Sequence, residues 1–310
     1  MFADDLKLVV NANLPSLNQS DLDMLNDWQK KWLLSFNTTD NKCKVLHVHR
    51  KGRVTFNEYK LNDSVLPVTD TEKDLGINVT NDLKWDYHIS QNISKAKQSI
   101  GWVTRNVISR EPDVMVNIYK LLVRPHLEHC VQLWNPIPKH GNWAVIMELE
   151  SVQRNFTKTI NEIGLLPYKE RLEKLKLTTL LERRARGDLI EVFKIFRGLC
   201  NYGRNFFNFS RSGMNIVING HSTGVNNFQI RVAKYWNMIP DSVKMAQNVC
   251  EFKIKLESYK QKNFNKPRNY WELSEEIYDH INDSSRQSYV DFMIDNPYIA
   301  KRKCVNINII

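Results

Sequence analysis

Two adjacent carboxylates stand close to the amino terminus, in the run Phe2-Ala3-Asp4-Asp5. The apolar stretch 6–10 that follows them has the composition of a β-strand. Paired acids at a strand end are a common way to hold Mg²⁺ for phosphoryl or nucleotidyl transfer, because hard cations prefer several carboxylate oxygens. The residues therefore suggest a magnesium site at Asp4 and Asp5, and the competing interpretation is a solvated turn.

Histidine and cysteine residues form further candidate metal sites. Cys43, His47 and His49 would share one face of a strand, but their spacing is wide and no fourth ligand follows nearby. A second group lies at 126–130, just after a proline. Because zinc sites usually close tightly spaced pairs, we expect no zinc at the first group. The histidines of the second group are expected to pack at a helix junction.

A basic cluster, Arg183-Arg184-Ala185-Arg186, lies in a predicted helix, with Lys194 further along. One interpretation is contact with nucleic-acid phosphate, and the other is a solvated helix face. Glu182 before the cluster and Asp188 after it would neutralise part of its charge.

Composition restricts the class of protein. The 310 residues carry a net charge of +10, which favours an anionic partner, with nucleic acid ahead of a membrane surface. Five widely separated cysteines without a Cys-x-x-Cys pair indicate a reducing compartment. The chain shows no signal sequence and no apolar run of about 20 residues. We therefore expect an intracellular protein of the nucleus or cytoplasm, not secreted, with no membrane partner and no evident protein partner.

Hydrophobic periodicity predicts a small α+β region of about 87 residues. Its helix would be capped by Asn18 or Ser20 and end near Asn37. The predicted buried stripe of this helix is Leu22, Leu25, Trp28 or Gln29, Trp32 and Phe36. Short strands are predicted at 43–49, 55–59, 65–68 and 74–79.

From His88 onward the pattern is helical. Proline should kink or restart a helix at Arg124-Pro125, since it lacks an N–H group. Two longer helices are predicted at about 143–162, ending near Gly164, and 172–196, ending near Gly198. Core burial is indicated for a set of tryptophans, rather than base stacking: Trp28, Trp32, Trp134, Trp143 and Trp236.

The order of these pieces resembles the reverse transcriptases of non-LTR (LINE-type) retrotransposons, especially the jockey and CR1-like groups. The matching segments, in one uninterrupted order, are Phe2-Ala3-Asp4-Asp5, 28–32, 42–47, 73–77, 119–128, 149–154, 183–190 and 231–240. The resemblance covers roughly residues 1–260. It implies an RNA-directed DNA polymerase with an α+β fold, namely the remnant of a palm (short strands plus a helix) followed by a mainly α-helical thumb-like region.

The resemblance also implies roles for particular residues. Asp4 and Asp5 would hold Mg²⁺, and Lys42 (or Lys44) would be a catalytic cation near the departing pyrophosphate. Leu75-Gly76 would be a hairpin that grips the primer backbone. The implied contacts of the thumb to an RNA or RNA–DNA template–primer include Arg124, Arg183, Arg184 and Arg186.

The resemblance and the periodicity together predict four regions: a palm part at 1–87, a thumb-like part at 88–200, a C-terminal region at 201–262 and a loosely ordered tail at 263–310. The fingers and a third catalytic aspartate lie upstream of this motif in the family. We therefore expect a truncated reverse transcriptase, derived from two-metal nucleotidyl transfer and inactive alone. The alternatives are a non-catalytic module that binds RNA or RNA–DNA hybrid, and a helical interaction protein without a nucleic-acid role.

Overall fold

The computed structural model describes residues 6–11, 14–38, 42–49, 57–136, 143–200, 206–218 and 228–262, so the tail predicted at 263–310 lies outside the described residues. They belong to two compact units, one reaching to Ser90 and the other starting at Gln91. The first unit combines short strands with a helix, whereas the second is mainly helical. The chain is therefore a mixed α and β protein, as the sequence predicts at this coarse level.

Strands of the first unit are short and pair in three places. The elements are α1 (Pro15–Trp32), β1 (Val45–Leu46), β2 (Lys60–Leu61), β3 (Ser64–Val65), β4 (Val68–Thr69), β5 (Thr71–Asp74) and β6 (Ile77–Thr80). β1 pairs with β4 in parallel, while β2–β3 and β5–β6 are antiparallel pairs. The expected strand at 55–59 falls partly outside the described residues.

Helix α1 begins earlier and ends earlier than its sequence indicates. Pro15 occupies its first turn, where a fixed φ and a missing N–H group are tolerated. Asn18, predicted as a cap, instead lies within the helix and donates from Nδ2 to the Tyr59 hydroxyl at 3.1 Å. The helix ends at Trp32, and Leu33 follows in a left-handed conformation with φ of 54°.

The predicted burial of two tryptophans of α1 is wrong. Trp28 is 44% exposed and Trp32 is 60% exposed. The small core of this unit contains Tyr59, Leu61 and Leu66. Polar Asn18 and Gln29 are buried along the helix instead, so the helix presents a mixed polar face to the hairpin of β2 and β3.

The run 74–79, predicted as one strand, turns back on itself. Asp74 pairs with Ile77 across the antiparallel strands β5 and β6. Leu75 and Gly76 between them both have positive φ, 46° and 88°. This conformation is that of a two-residue type I′ turn, whose twist matches the flanking strands.

Helices make up most of the second unit. Those with described bounds are α2 (Asp86–Asn106, which begins at the end of the first unit), α3 (Pro112–Ile118), α4 (Arg124–Glu128), α5 (Val131–Trp134), α6 (Trp143–Thr157), α7 (Tyr168–Lys174), α8 (Leu180–Phe196), α9 (Phe228–Met238), α10 (Asp241–Lys244) and α11 (Val249–Lys262). A π-helical turn at Tyr119–Val123 joins α3 to α4.

The helix predicted at 172–196 is divided into α7 and α8. Thr179 caps α8 by accepting a hydrogen bond from the Glu182 amide at 3.2 Å, which fixes the new start. Gly198, with φ of +68°, follows the end of α8. Its amide donates to Ile195 O at 3.1 Å, so the predicted glycine stop is confirmed.

The main described core lies between α8, α9 and α11. Phe193 stacks on Phe252 with ring centroids 4.3 Å apart, and Trp236 is fully buried beside them. Phe207 and Ile216, from the segment before α9, join the same cluster. Residues from the described ranges 206–218 and 228–259 therefore share one core with α8.

Candidate nucleic-acid interface

Two of the arginines proposed to contact phosphate meet around one carboxylate. Arg183 of α8 donates to both oxygens of Glu128, from Nη2 to Oε2 at 3.2 Å and from Nε to Oε1. Arg124 Nε lies 3.6 Å from Glu128 Oε2. The Arg124, Glu128 and Arg183 side chains are 18%, 24% and 37% exposed. We call these three residues the arginine pair site.

The arginine pair site carries two positive charges against one negative charge. Burial, and then the charge of Arg183, lower the pKa of Arg124. Arg124 and Arg183 carry like charges beside the same carboxylate, so their guanidinium groups repel each other. An additional anion, such as a phosphate oxygen, would relieve this repulsion.

A π turn directly precedes Arg124, the first residue of the arginine pair site along the chain. Pro125 has no N–H group, so the regular hydrogen-bond ladder cannot continue through it. The turn Tyr119–Val123 widens just before Arg124, and α4 continues from there. Tyr119 and Val123 stay fully buried. The predicted kink or restart at Arg124-Pro125 is thus accommodated by a π turn, a feature that is often found at functional sites.

Arg184, also proposed to contact phosphate, lies in the interior with only 1% exposure. Its Nε donates to Asn135 Oδ1 at 3.0 Å, and Asn135 Nδ2 donates to Asp188 Oδ2 at 3.0 Å. Arg231 of α9 donates to both Asp188 oxygens at 2.9 and 3.0 Å and to Gln132 O. Arg184 is therefore part of a buried polar network that ties α8 to α9 and to the end of α5.

Arg186 faces yet another helix. Its Nε lies 3.9 Å from Glu257 Oε2 of α11, and Lys260 pairs with Glu182 and with Glu257. The run of arginines consequently diverges: Arg183 contacts α4, Arg184 points inward and Arg186 approaches α11. It does not form one basic stripe.

A second buried network lies between α6, α7 and the start of α8. Glu150 accepts from the Tyr168 hydroxyl at 2.5 Å and from the Leu180 amide at 2.9 Å. Gln153 Nε2 donates to the Tyr168 hydroxyl at 2.8 Å, and Tyr119 donates to Gln153 Oε1 at 2.7 Å. Glu150 thus supplies a negative charge to the N-terminus of α8, which the helix dipole favours.

Burial governs the titration of this network. Desolvation raises the pKa of Glu150, although hydrogen bonding from Tyr168 and the charge of Arg184 act in the opposite direction. Desolvation also raises the pKa of Tyr168 well above its usual value, and the neighbouring Glu150 charge adds to that effect. Desolvation raises the pKa of Tyr119 in the same way. Both tyrosines therefore stay protonated donors at neutral pH.

The sequence singles out Glu150, Gln153, Asp188 and Arg231 within motifs but does not indicate their structural role. The sequence of α6 nevertheless contains an indication of this role. Glu150 and Gln153 interrupt an otherwise apolar stripe that contains Leu149, Val152 and Phe156, all buried. Polar residues within such a stripe indicate a buried hydrogen-bonded network.

The remaining proposed site residues lie in the first unit. Lys42 is exposed and precedes β1, while Lys44 pairs with Glu72 at 3.0 Å. Leu75 and Gly76 form the tip of the β5–β6 hairpin, and Leu75 is 53% exposed. A hairpin therefore stands where the resemblance implies one.

Asp4 and Asp5 lie outside the described residues, so the Mg²⁺ site they would form stays a prediction. Within the described ranges, His, Cys, Asp and Glu side chains form no group of three or more that could hold a metal ion. Over the same ranges no helix is both long and apolar enough to cross a membrane.

Comparisons with known proteins identify no relative. No protein-family model matches the chain, and neither a curated protein nor a solved structure matches it.

Proposed function

We propose that this chain is the palm and thumb portion of a non-LTR retrotransposon reverse transcriptase, and that its helical unit binds the phosphates of RNA or RNA–DNA hybrid. The ordered motif series supports the descent. Residues from different motif segments meet in two buried networks of the helical unit: Asp188 with Arg231 in one, and Tyr119 with Gln153 in the other.

The arginine pair site carries the proposal for phosphate binding. Arg124 and Arg183 share Glu128, keep a net positive charge and remain partly exposed. Arginine guanidinium groups match the geometry of phosphate oxygens. A phosphate placed beside them would complete the neutralisation that one carboxylate leaves incomplete.

Binding to a fluorescent RNA–DNA hybrid, measured by anisotropy at several salt concentrations, tests this function. Removing one cation that neutralises a phosphate should reduce the slope of log affinity against log salt by about 1. Glu128 leaves the pair one net positive charge, which neutralises one phosphate, so the double variant Arg124→Gln, Arg183→Gln should lower the slope by about 1. As a matched control, the double variant Lys30→Gln, Lys31→Gln removes two charges from the first unit. It should leave the salt slope unchanged.

Equal slopes for the wild type and the arginine double variant would reject the arginine pair site. The double variant Arg124→Lys, Arg183→Lys keeps both charges and should keep the wild-type slope. Circular dichroism of each variant shows whether it is folded, so that a loss of charge can be told from a folding defect.

The polymerase part of the proposal rests on Asp4 and Asp5. Mg²⁺ held by these carboxylates would activate a primer 3′-hydroxyl and stabilise the leaving pyrophosphate. Primer extension on an RNA template, with Asp4→Asn and Asp5→Asn as controls, tests that role. We expect no nucleotide incorporation by this chain alone. Incorporation that both substitutions abolish would contradict that expectation and support catalysis, whereas incorporation that survives them would exclude a catalytic role for Asp4 and Asp5.

A further inference from the structure

Helix α2 exposes a large aromatic ring within a segment, residues 91–106, that contains no aspartate or glutamate. Trp102 is 52% exposed, whereas Trp134 and Trp236 in the same unit are buried. The opposite side of α2 is closed, since Ile93 and Val103 are 2% and 0% exposed. Trp102 is therefore not part of the helix face that packs in the core.

Arg105 lies beside Trp102 on the outer side of the helix. Gln98, Trp102 and Arg105 are all exposed, and spacings of four and three residues place them on one face. A Cβ placed on Gly101 would lie 3.5 Å from Nη1 of Arg105. The guanidinium thus folds back over Gly101, the chain neighbour of Trp102. An exposed indole ring and an exposed guanidinium group therefore share this face of the helix.

The charge of this segment has one sign. Residues 91–106 contain Lys95, Lys97 and Arg105 and no aspartate or glutamate. Lys97 pairs with Glu148 of α6 at 3.4 Å. Burial, and then the charge of Lys95, lower the pKa of His126 in α4. The charged residues of the segment 91–106 itself are therefore all positive.

An exposed aromatic ring in a helical segment whose own charged residues are all basic fits single-stranded nucleic acid. Bases stack on aromatic rings, and adjacent cations neutralise the backbone. We propose that Trp102 stacks on an unpaired base of a bound strand, and that Arg105 contacts a flanking phosphate. This inference rests on the proposed nucleic-acid binding and names a second contact, distinct from the arginine pair site.

The test compares two fluorescent ligands with the full chain: a short oligouridylate, and an abasic oligomer of the same length and charge. The wild type should bind the oligouridylate more tightly. Trp102→Ala should weaken that binding about tenfold, the size of one base stack, and should leave abasic binding unchanged. Arg105→Gln should weaken both ligands and lower the salt slope by about 1.

Two controls isolate stacking. Trp102→Leu keeps an apolar side chain but no aromatic face, so it should behave as Trp102→Ala does. Trp32→Ala removes another exposed tryptophan, 60% exposed in the first unit, and should bind as the wild type does.

Several results would overturn the inference: equal wild-type affinity for both ligands, unchanged binding by Trp102→Ala, or wild-type binding by Trp102→Leu. If the arginine double variant weakens binding but Trp102→Ala does not, the proposed function stands and this contact fails. If the wild type binds neither oligomer nor hybrid, both fail.

Discussion

Replacement of Glu150 tests whether its buried carboxylate holds the helical unit together. In the wild type this side chain accepts hydrogen bonds from the Tyr168 hydroxyl and the Leu180 amide. Glu150→Leu would leave both donors buried without their acceptor. Each orphaned donor costs about 1–3 kcal/mol, so the free energy of unfolding should fall by about 2–6 kcal/mol.

Glu150→Gln should be milder because it keeps one carbonyl oxygen. That oxygen can accept from the Leu180 amide while the new NH₂ group donates to the Tyr168 hydroxyl. Only the hydroxyl proton of Tyr168 then needs another acceptor. We expect a loss of about 1–2 kcal/mol.

The difference between the wild type and Glu150→Gln should depend on pH. Burial raises the pKa of Glu150 above its usual 4.5 in the folded chain. Such a group contributes stability below its unfolded pKa and loses that contribution as the pH rises through the folded pKa. The advantage of the wild type over Glu150→Gln should therefore be largest at acidic pH and smaller at pH values above the raised pKa.

Urea denaturation followed by tryptophan fluorescence measures these differences. Glu148→Gln is the matched control, because Glu148 lies on the same helix with a 54% exposed side chain. It should change the free energy of unfolding by less than about 1 kcal/mol. A Glu150→Leu protein as stable as this control would refute the role assigned to the carboxylate.

Three further substitutions test the fold by thermal denaturation. Asp188→Ala leaves Arg231 buried without its carboxylate and should cost about 3–5 kcal/mol; a change near zero would contradict the network. Leu75→Gly should stabilise the first unit by about 1 kcal/mol, because Leu75 has φ of 46° in the type I′ turn; a lower melting temperature would argue against that strain. Gly198→Ala should cost about 1 kcal/mol, since Gly198 has φ of +68°, and no loss would show that another residue ends α8.

Local signals in the sequence predict several elements correctly. Gly198 ends α8 because only glycine adopts positive φ without a steric cost. Pro125 disturbs its helix because it lacks a donor, although a π turn rather than a break results. The helical pattern places the start of α6 at Trp143. These features depend on neighbours within one or two turns of the chain.

Pairings between distant residues are not readable from such signals. Arg183, Arg184 and Arg186 are consecutive or nearly so, yet they contact three different parts of the structure. The partner of each depends on how the helices pack, and not on its own position in the chain. The same holds in α1, where Asn18 is buried because the hydroxyl of Tyr59, forty-one residues away, accepts its hydrogen bond. Trp32 of the same helix is exposed instead.

The sequence by itself determined the mixed α and β character, the order of motifs that resembles a reverse transcriptase, and the positive charge that favours an anionic partner. The first and the third follow from composition and local spacing, whereas the resemblance rests on the order of the matching segments and stays a proposal. Only the tertiary structure decided that Arg124 and Arg183 share Glu128, that Arg184 is buried, and that Trp102 stays exposed beside Arg105. The physical reason is that burial and ion pairing depend on which surfaces meet, and long-range packing sets that.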